Sequence, residues 1–235
     1  MKVIVLGGTG ATGRLVVSQL LKAGDSVTAL VRPGSKLALS EDVDRRRLSL
    51  IEQTALSMQK EALTDLLREA DAVVSCLGHN LSWRGVYGAP RMLVRNSLQR
   101  VLTAVPSDRA TPLKIVLMNT TGNRNLDLKE AVPIAQHLVL ILLRCLLPPH
   151  LDNERAANLL RKQLKDQGHI EWVAVRPDSL TDEKQVNSYS LHPSPIRSAI
   201  FDSGKTSRIN TADFICRLVQ QDKFWQKWRG QMPVI

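Results

Sequence analysis

The residues whose types and spacing most directly imply chemistry are Gly7-Gly8-Thr9-Gly10-Ala11-Thr12-Gly13. They follow an aliphatic run, Val3 to Leu6, and precede Leu15, Val16, Val17, Leu20 and Leu21, which recur at helical spacing. A G-x-x-G-x-x-G loop that leaves a strand and opens a helix has the makings of a diphosphate cradle. Gly7 permits the tight turn, Gly10 lets backbone amides approach the phosphates with no Cβ in the way, and Gly13 allows helix to pack on strand. Thr9, Ala11 and Thr12 complete the loop. The helix that follows presents unpaired N–H groups and the positive end of its dipole to an anion.

A second position speaks to which dinucleotide would sit there. Sites for NAD place Asp or Glu at the end of the second strand, where the carboxylate accepts from the ribose 2′-hydroxyl and repels a 2′-phosphate. Here Val27 to Val31 ends at Arg32, with Ser35 and Lys36 close behind. A guanidinium pairs with a phosphate and stacks on adenine. The expected cofactor is therefore NADP(H).

The elements that must carry these residues follow from periodicity. Gly24 caps the first helix, and strand, helix and strand make a βαβ unit, which implies a parallel sheet. Leu48 to Ile51 is a third strand. A helix bearing Ala62, Leu63, Leu66, Leu67 and Ala70 leads to a fourth, Ala72 to Cys76. Met92 to Val105 is helical, and Leu113 to Met118 is the fifth strand. Helices over about 131–147 and 154–164 precede a sixth strand, Trp172 to Val175. The expected fold is a Rossmann-type doubly wound α/β sheet with helices on both faces, one domain over 1–235. Residues 178–209 turn polar, with Pro193, Pro195 and Gly204, and suggest an irregular lobe on the substrate side. Thr211 is a plausible N-cap for a final helix through Val219.

Composition excludes more than it identifies. A chain of 235 residues that is 43% hydrophobic can bury a substantial core without disulfides or metals. Cys76, Cys145 and Cys216 are odd in number and far apart, which fits reduced thiols in a cytoplasmic protein. The five histidines show no metal-ligand spacing, and no leader segment is visible at the N-terminus. The formal charge of +10 comes without a helix-turn-helix, zinc-finger or RNP-type signature, so a nucleic-acid partner is not expected. The apolar 131–147 segment is too short for a transmembrane span. It reads as a core or oligomer-interface helix, with peripheral membrane contact as the alternative.

Taken with Leu30-Val31-Arg32, Ala70-Asp71-Ala72-Val73-Val74 leading to Leu77-Gly78, and Trp172-Val173-Ala174-Val175-Arg176-Pro177, the glycine loop resembles the atypical short-chain dehydrogenase/reductase superfamily. Within it the chain is similar to the NAD(P)H-binding group of biliverdin-IXβ/flavin reductases and NmrA-like proteins. The resemblance implies that Cys76, Leu77 and Gly78 line the adenosine and ribose side. Thr54, Ala55 and Leu56 fall where the family often has an Asp-x-x-Asp segment near adenine; the first Asp is absent here. Pro177 and its neighbours would lie beside the nicotinamide. Asn119-Thr120-Thr121 ends the fifth strand, and Thr120 aligns with a serine that similar reductases place there. Its hydroxyl could orient or polarise a substrate carbonyl, or it could simply satisfy local backbone groups.

The superfamily's Tyr-x-x-x-Lys pair, in which lysine lowers the tyrosine pKa for proton exchange, is missing. Neither Tyr87 nor Tyr189 has Lys four residues on, and Asp152-Asn153-Glu154-Arg155 stands where the motif helix should begin. Two readings remain. One is an NADPH-dependent reductase of a small flavin, quinone or tetrapyrrole-type acceptor, which needs little more than a bound hydride donor. The other is a non-catalytic NADP-binding sensor or assembly module that acts through a protein partner.

Overall fold

The computed structural model describes residues 1–80, 82–128, 130, 134–164 and 168–235. Six parallel strands form the central sheet: β1 (Lys2–Leu6), β2 (Ser26–Leu30), β3 (Leu48–Ile51), β4 (Ala72–Ser75), β5 (Leu113–Met118) and β6 (Ile170–Val175). Their spatial order is β3-β2-β1-β4-β5-β6, so the winding reverses between β1 and β4. The pairing is in step along one edge: Leu6 pairs with Leu30 and Ser75, Leu30 with Ile51, Ser75 with Leu117, and Met118 with Val175. All six carboxyl ends therefore finish on the same side of the molecule, where open α/β sheets hold their ligands.

Alternation along each strand builds two cores. Ile4, Leu6, Val73, Ile115 and Leu117 pack under α2 (Lys60–Glu69), α4 (Leu93–Ala104) and α6 (Pro148–Gln163). Val3, Val5, Val27, Val74 and Val116 pack under α1 (Gly13–Lys22), α7 (Arg208–Gln220) and α8 (Asp222–Trp228). The aliphatic runs of β1, β4, β5 and β6 are buried on both faces, as a helix-covered parallel sheet requires, while the edge strand β3 exposes Ser49 and Leu50. Residues 230–235 then run beside β6: Ala174, Arg176 and Asp178 donate to the carbonyls of Gln231, Pro233 and Ile235.

The doubly wound sheet is as expected, and several boundaries are corrected. Pro148 and Pro149 open α6 rather than merely ending the helix before it, because proline suits the first helical turn, where its missing N–H costs nothing. The cap of α7 is Ser207, whose hydroxyl accepts from the Asn210 amide; Thr211 lies inside the helix and donates to the Ser207 carbonyl. The short helix α3 (Trp83–Tyr87), which ends at Tyr87, and α8 were not anticipated. Within 178–209, two short parallel strands, β7 (Ser179–Thr181) and β8 (Lys205–Ser207), brace otherwise irregular chain. The helix expected over 131–147 is α5 (Ile134–Leu146); its expected start, 131–133, lies outside the described residues. No described helix is long and apolar enough to cross a membrane. Cys76 and Cys216 are buried free thiols, and the Cys145 side chain lies outside what is described.

Candidate functional site

The glycine loop turns directly from β1 into α1. Gly7 has φ +77°, and a Cβ there would stand 2.7 Å from the Cys76 carbonyl oxygen. A Cβ on Gly13 would overlap the Gly7 carbonyl oxygen, so the first turn of α1 can close onto the loop only as glycine. Gly10 differs. It is exposed, its N–H donates to the Gly7 carbonyl at 3.0 Å, and a Cβ would meet only that oxygen, at 3.3 Å. The open side of Gly10 is thus the mouth of a cradle that any side chain would fill. Thr9 and Ala11 flank this mouth, and Thr12 stands at the N-terminal boundary of α1 with its side chain buried and no side-chain bond to the first-turn amides. These residues fit a pyrophosphate: bare backbone, first-turn amides and the positive end of a ten-residue helix.

Around the cradle the other strand ends bring further candidates. Arg32 and Lys36 are exposed just past β2 and take part in none of the ion pairs among the described residues. A turn anchors Arg32, with the Ser35 amide donating to its carbonyl at 3.0 Å. Past β3, Thr54 and Ser57 lock into a mutual cap: the Thr54 amide donates to Ser57 Oγ at 2.9 Å and the Ser57 amide to Thr54 Oγ1 at 3.1 Å. Ala55 packs into the core and Leu56 is half-buried. Past β4, the Cys76 side chain is buried in the core beneath the loop, and desolvation pushes its thiol up to about 12. Leu77 is half-buried and Gly78 exposed.

The end of β5 is tightly organised. The Asn119 side-chain oxygen accepts from the Thr120 amide at 2.8 Å and from the Asn123 side-chain amide, while its own amide donates to the Asn153 carbonyl at 3.0 Å. The Asn119 backbone N–H donates to the Val175 carbonyl at 2.7 Å, and Thr121 donates to that of Pro177 at 3.3 Å. Thr120 is half-buried, with its hydroxyl accepting from the Gly122 amide at 3.3 Å.

Sequence reasoning missed three groups here. Asp152 is fully buried and accepts from His79 Nε2 at 2.8 Å and from the Val94 and Arg95 amides at 2.8 and 2.9 Å. Arg176 is also fully buried and is bidentate with Glu130 at 2.8 and 3.0 Å. It also donates to the carbonyls of Met232, Asn123 and Pro193. His150, in the first turn of α6, lies against Gly122 beside Thr120. The only sequence signal for it was Pro148-Pro149, which starts the helix that turns His150 towards the β5 end. Where the helix of the missing Tyr-x-x-x-Lys motif should begin, the residues serve structure. Asn153 donates to the Pro149 carbonyl, and Glu154 is bidentate with Arg144 at 2.6 and 2.7 Å.

A model for NAD(P)H-binding proteins matches residues 7–222. The chain belongs to the NAD(P)H-binding family. A curated relative, averufin oxidase of Emericella nidulans, is 28% identical over 201 residues, 80% of this chain and 65% of that protein. The chain thus spans about two thirds, slightly less, of that relative's length. Among solved structures it is similar to a candidate NADH-flavin reductase from Streptococcus pneumoniae (TM-score 0.66, 17% identity, covering 100% of this chain and 98% of that one). It is also similar to a wide-type short-chain dehydrogenase/reductase from Veillonella parvula in complex with NADP (TM-score 0.64, 15% identity, covering 99% and 93%). At these identities the structures attest the fold. The family match attests NAD(P)H binding for this chain.

Proposed function

We propose that this family member is an NADPH-dependent reductase of a small acceptor of flavin, quinone or tetrapyrrole type. The observation that carries the reading is the open cradle at Gly10 with Arg32 exposed at the neighbouring strand end and in none of the ion pairs among the described residues. The amides of Thr9, Ala11, Thr12 and Gly13 would hold the pyrophosphate, with Gly10 giving it room to approach. Arg32, assisted by Lys36, would hold the 2′-phosphate. Thr54, Ala55 and Leu56 would edge the adenine, Cys76, Leu77 and Gly78 the ribose, and Asn119 and Pro177 the nicotinamide. When bound, the reduced nucleotide supplies a hydride. Thr120 would orient the acceptor by a hydrogen bond to its carbonyl oxygen or ring nitrogen. The lobe after β6 would cover the acceptor; a cavity of about 300 Å³ lies in it, lined by Asp178, Tyr189, His192, Arg197, Lys205 and Asn210. The names of the averufin oxidase and of the flavin-reductase neighbour are consistent with redox chemistry on such acceptors.

Calorimetry followed by an acceptor panel tests the reading. Micromolar NADPH binding, weaker NADH binding and oxidation of NADPH by at least one flavin, quinone or tetrapyrrole are expected. Tight NADPH binding with no oxidation above background would leave the sensor or assembly-module reading. That second reading is favoured by one observation: α3 and α5 expose Trp83, Leu142 and Leu146, an apolar surface suited to a protein partner. A pulldown partner whose binding follows the NADP/NADPH ratio would establish it.

A further inference from the structure

Reduction of an acceptor takes a hydride and one proton, and the reading above leaves the proton without a source. Where the Tyr-x-x-x-Lys helix should begin stand Asp152 to Arg155, all drawn into structural bonds. What stands beside Thr120 instead is an imidazole. A Cβ placed on Gly122 would lie 3.7 Å from Thr120 Oγ1, 3.4 Å from His150 Cε1 and 3.9 Å from His150 Nδ1. Hydroxyl and imidazole thus lie within 4 Å of one point, at most two such radii apart, a gap that one or two water molecules span. Gly122, which lies against both, puts no side chain of its own into the gap.

We infer that His150 is the proton reservoir of this site, passing its proton through the Thr120 hydroxyl to the acceptor. The inference rests on the reductase reading above. The step balances simply. The acceptor gains the hydride at one atom and breaks the Thr120 Oγ–H bond to gain a proton at its oxygen or nitrogen. Thr120 takes a proton from the water that spans the gap, and that water is made good by the proton of the His150 imidazolium. His150, left neutral, is half-buried and recovers a proton from water at its exposed edge.

The surroundings suit this task. Desolvation by burial holds His150 below the usual histidine range, opposed by Glu154 four residues along α6 and aided by Arg144 of α5. Those are the charged groups that reach it among the described residues, and they are paired with each other. Its place in the first turn of α6 also disfavours the cation. A lowered midpoint makes the imidazolium a strong acid and confines it to the acid side of the usual histidine range, so the relay works best there. The four other histidines offer no substitute described at this spot; His79, for instance, is buried against Asp152 and the Gly85 carbonyl.

Two measurements on the full chain test the relay. Imidazole NMR, with His150→Gln to assign the signal, should show the His150 titration midpoint lower with saturating NADP⁺ than with NADPH, because the oxidised ring carries positive charge. No change with either nucleotide, under conditions where calorimetry shows saturation, would overturn the inference. With an acceptor that turns over, kcat/KM of the wild type should fall as pH rises through the His150 midpoint. His150→Gln should lose about 10²-fold in kcat, within the range of a positioned proton donor, and lose that pH limb. It should keep the wild-type NADPH Kd. Thr120→Val, nearly the same shape without the hydroxyl, should show the same pattern should the His150 variant fold poorly. A wild-type protein that reduces no acceptor overturns the reductase reading and the relay with it. An active wild type whose variants keep both rate and pH limb overturns the relay alone.

Discussion

At the scale of single residues, the three loop glycines do different work, and substitutions should separate it. Gly7 and Gly13 are forced by contacts within the protein, whereas Gly10 is open on the side a ligand would use. Gly10→Val should leave the thermal midpoint near that of the wild type and abolish NADPH binding in calorimetry. Gly13→Ala, whose methyl would overlap the Gly7 carbonyl, should lower the midpoint itself. Arg32→Glu should cut the preference for NADPH over NADH by about 10- to 100-fold, the scale of one charged hydrogen bond. Unchanged discrimination would mean that Arg32 does not read the phosphate. The glycine loop and Arg32 were legible in the sequence because their requirements are local: a turn, a bare Cα, a charge at a strand end. His150 was not legible, since its neighbour Gly122 belongs to a different element and only the fold brings them together. For Cys76 the sequence located the residue, while the fold turns its thiol into the core.

At the scale of elements, apolar periodicity located the six strands of the central sheet, because strands packed under helices read as short aliphatic runs whatever their neighbours; the short, polar β7 and β8 carry no such run. Helix ends were harder. Ser207 and Thr211 are both hydroxyl residues near the start of α7, and only geometry shows which one caps it. The cap of α4 is harder still, for it comes from another helix. Asp152 of α6 accepts the Val94 and Arg95 amides, two donors that a helix leaves without partners in its first turn. Asp152→Ala should strand both amides and His79 Nε2 in a buried place. Each such buried group costs about 1–3 kcal/mol, so a loss of several kcal/mol in urea unfolding is expected, with faster hydrogen exchange at Val94 and Arg95. Asp152→Asn keeps an acceptor oxygen and should recover part of the loss. Equal losses in the two variants would show that the side chain matters for packing rather than as a cap.

At the scale of the whole molecule, one buried cation ties the site together. Arg176 follows β6, and its guanidinium holds Glu130, the Asn123 carbonyl on the β5 side, Pro193 in the lobe and Met232 in the terminal segment. Glu130 in turn accepts the Asn125 amide at 2.7 Å. The loop carrying Thr120, the lobe and the segment beside β6 thus share one anchor. Glu130 lies 46 residues from Arg176, so no local pattern in the sequence announces the pair. Removing one partner leaves the other charge buried and unpaired, which typically costs 3–5 kcal/mol. Glu130→Ala should therefore lower stability by about that much. Glu130→Leu combined with Arg176→Met removes both charges and should restore much of the lost stability, since a buried pair is often no better than packed apolar side chains. The double variant still lacks the donors that reach Asn123 and Pro193. Its melting curve should recover while the rate of NADPH oxidation stays depressed and the lobe becomes more open to proteolysis. If rate and stability recover together, the anchor serves folding alone, and the strand-end loop holds its geometry without it.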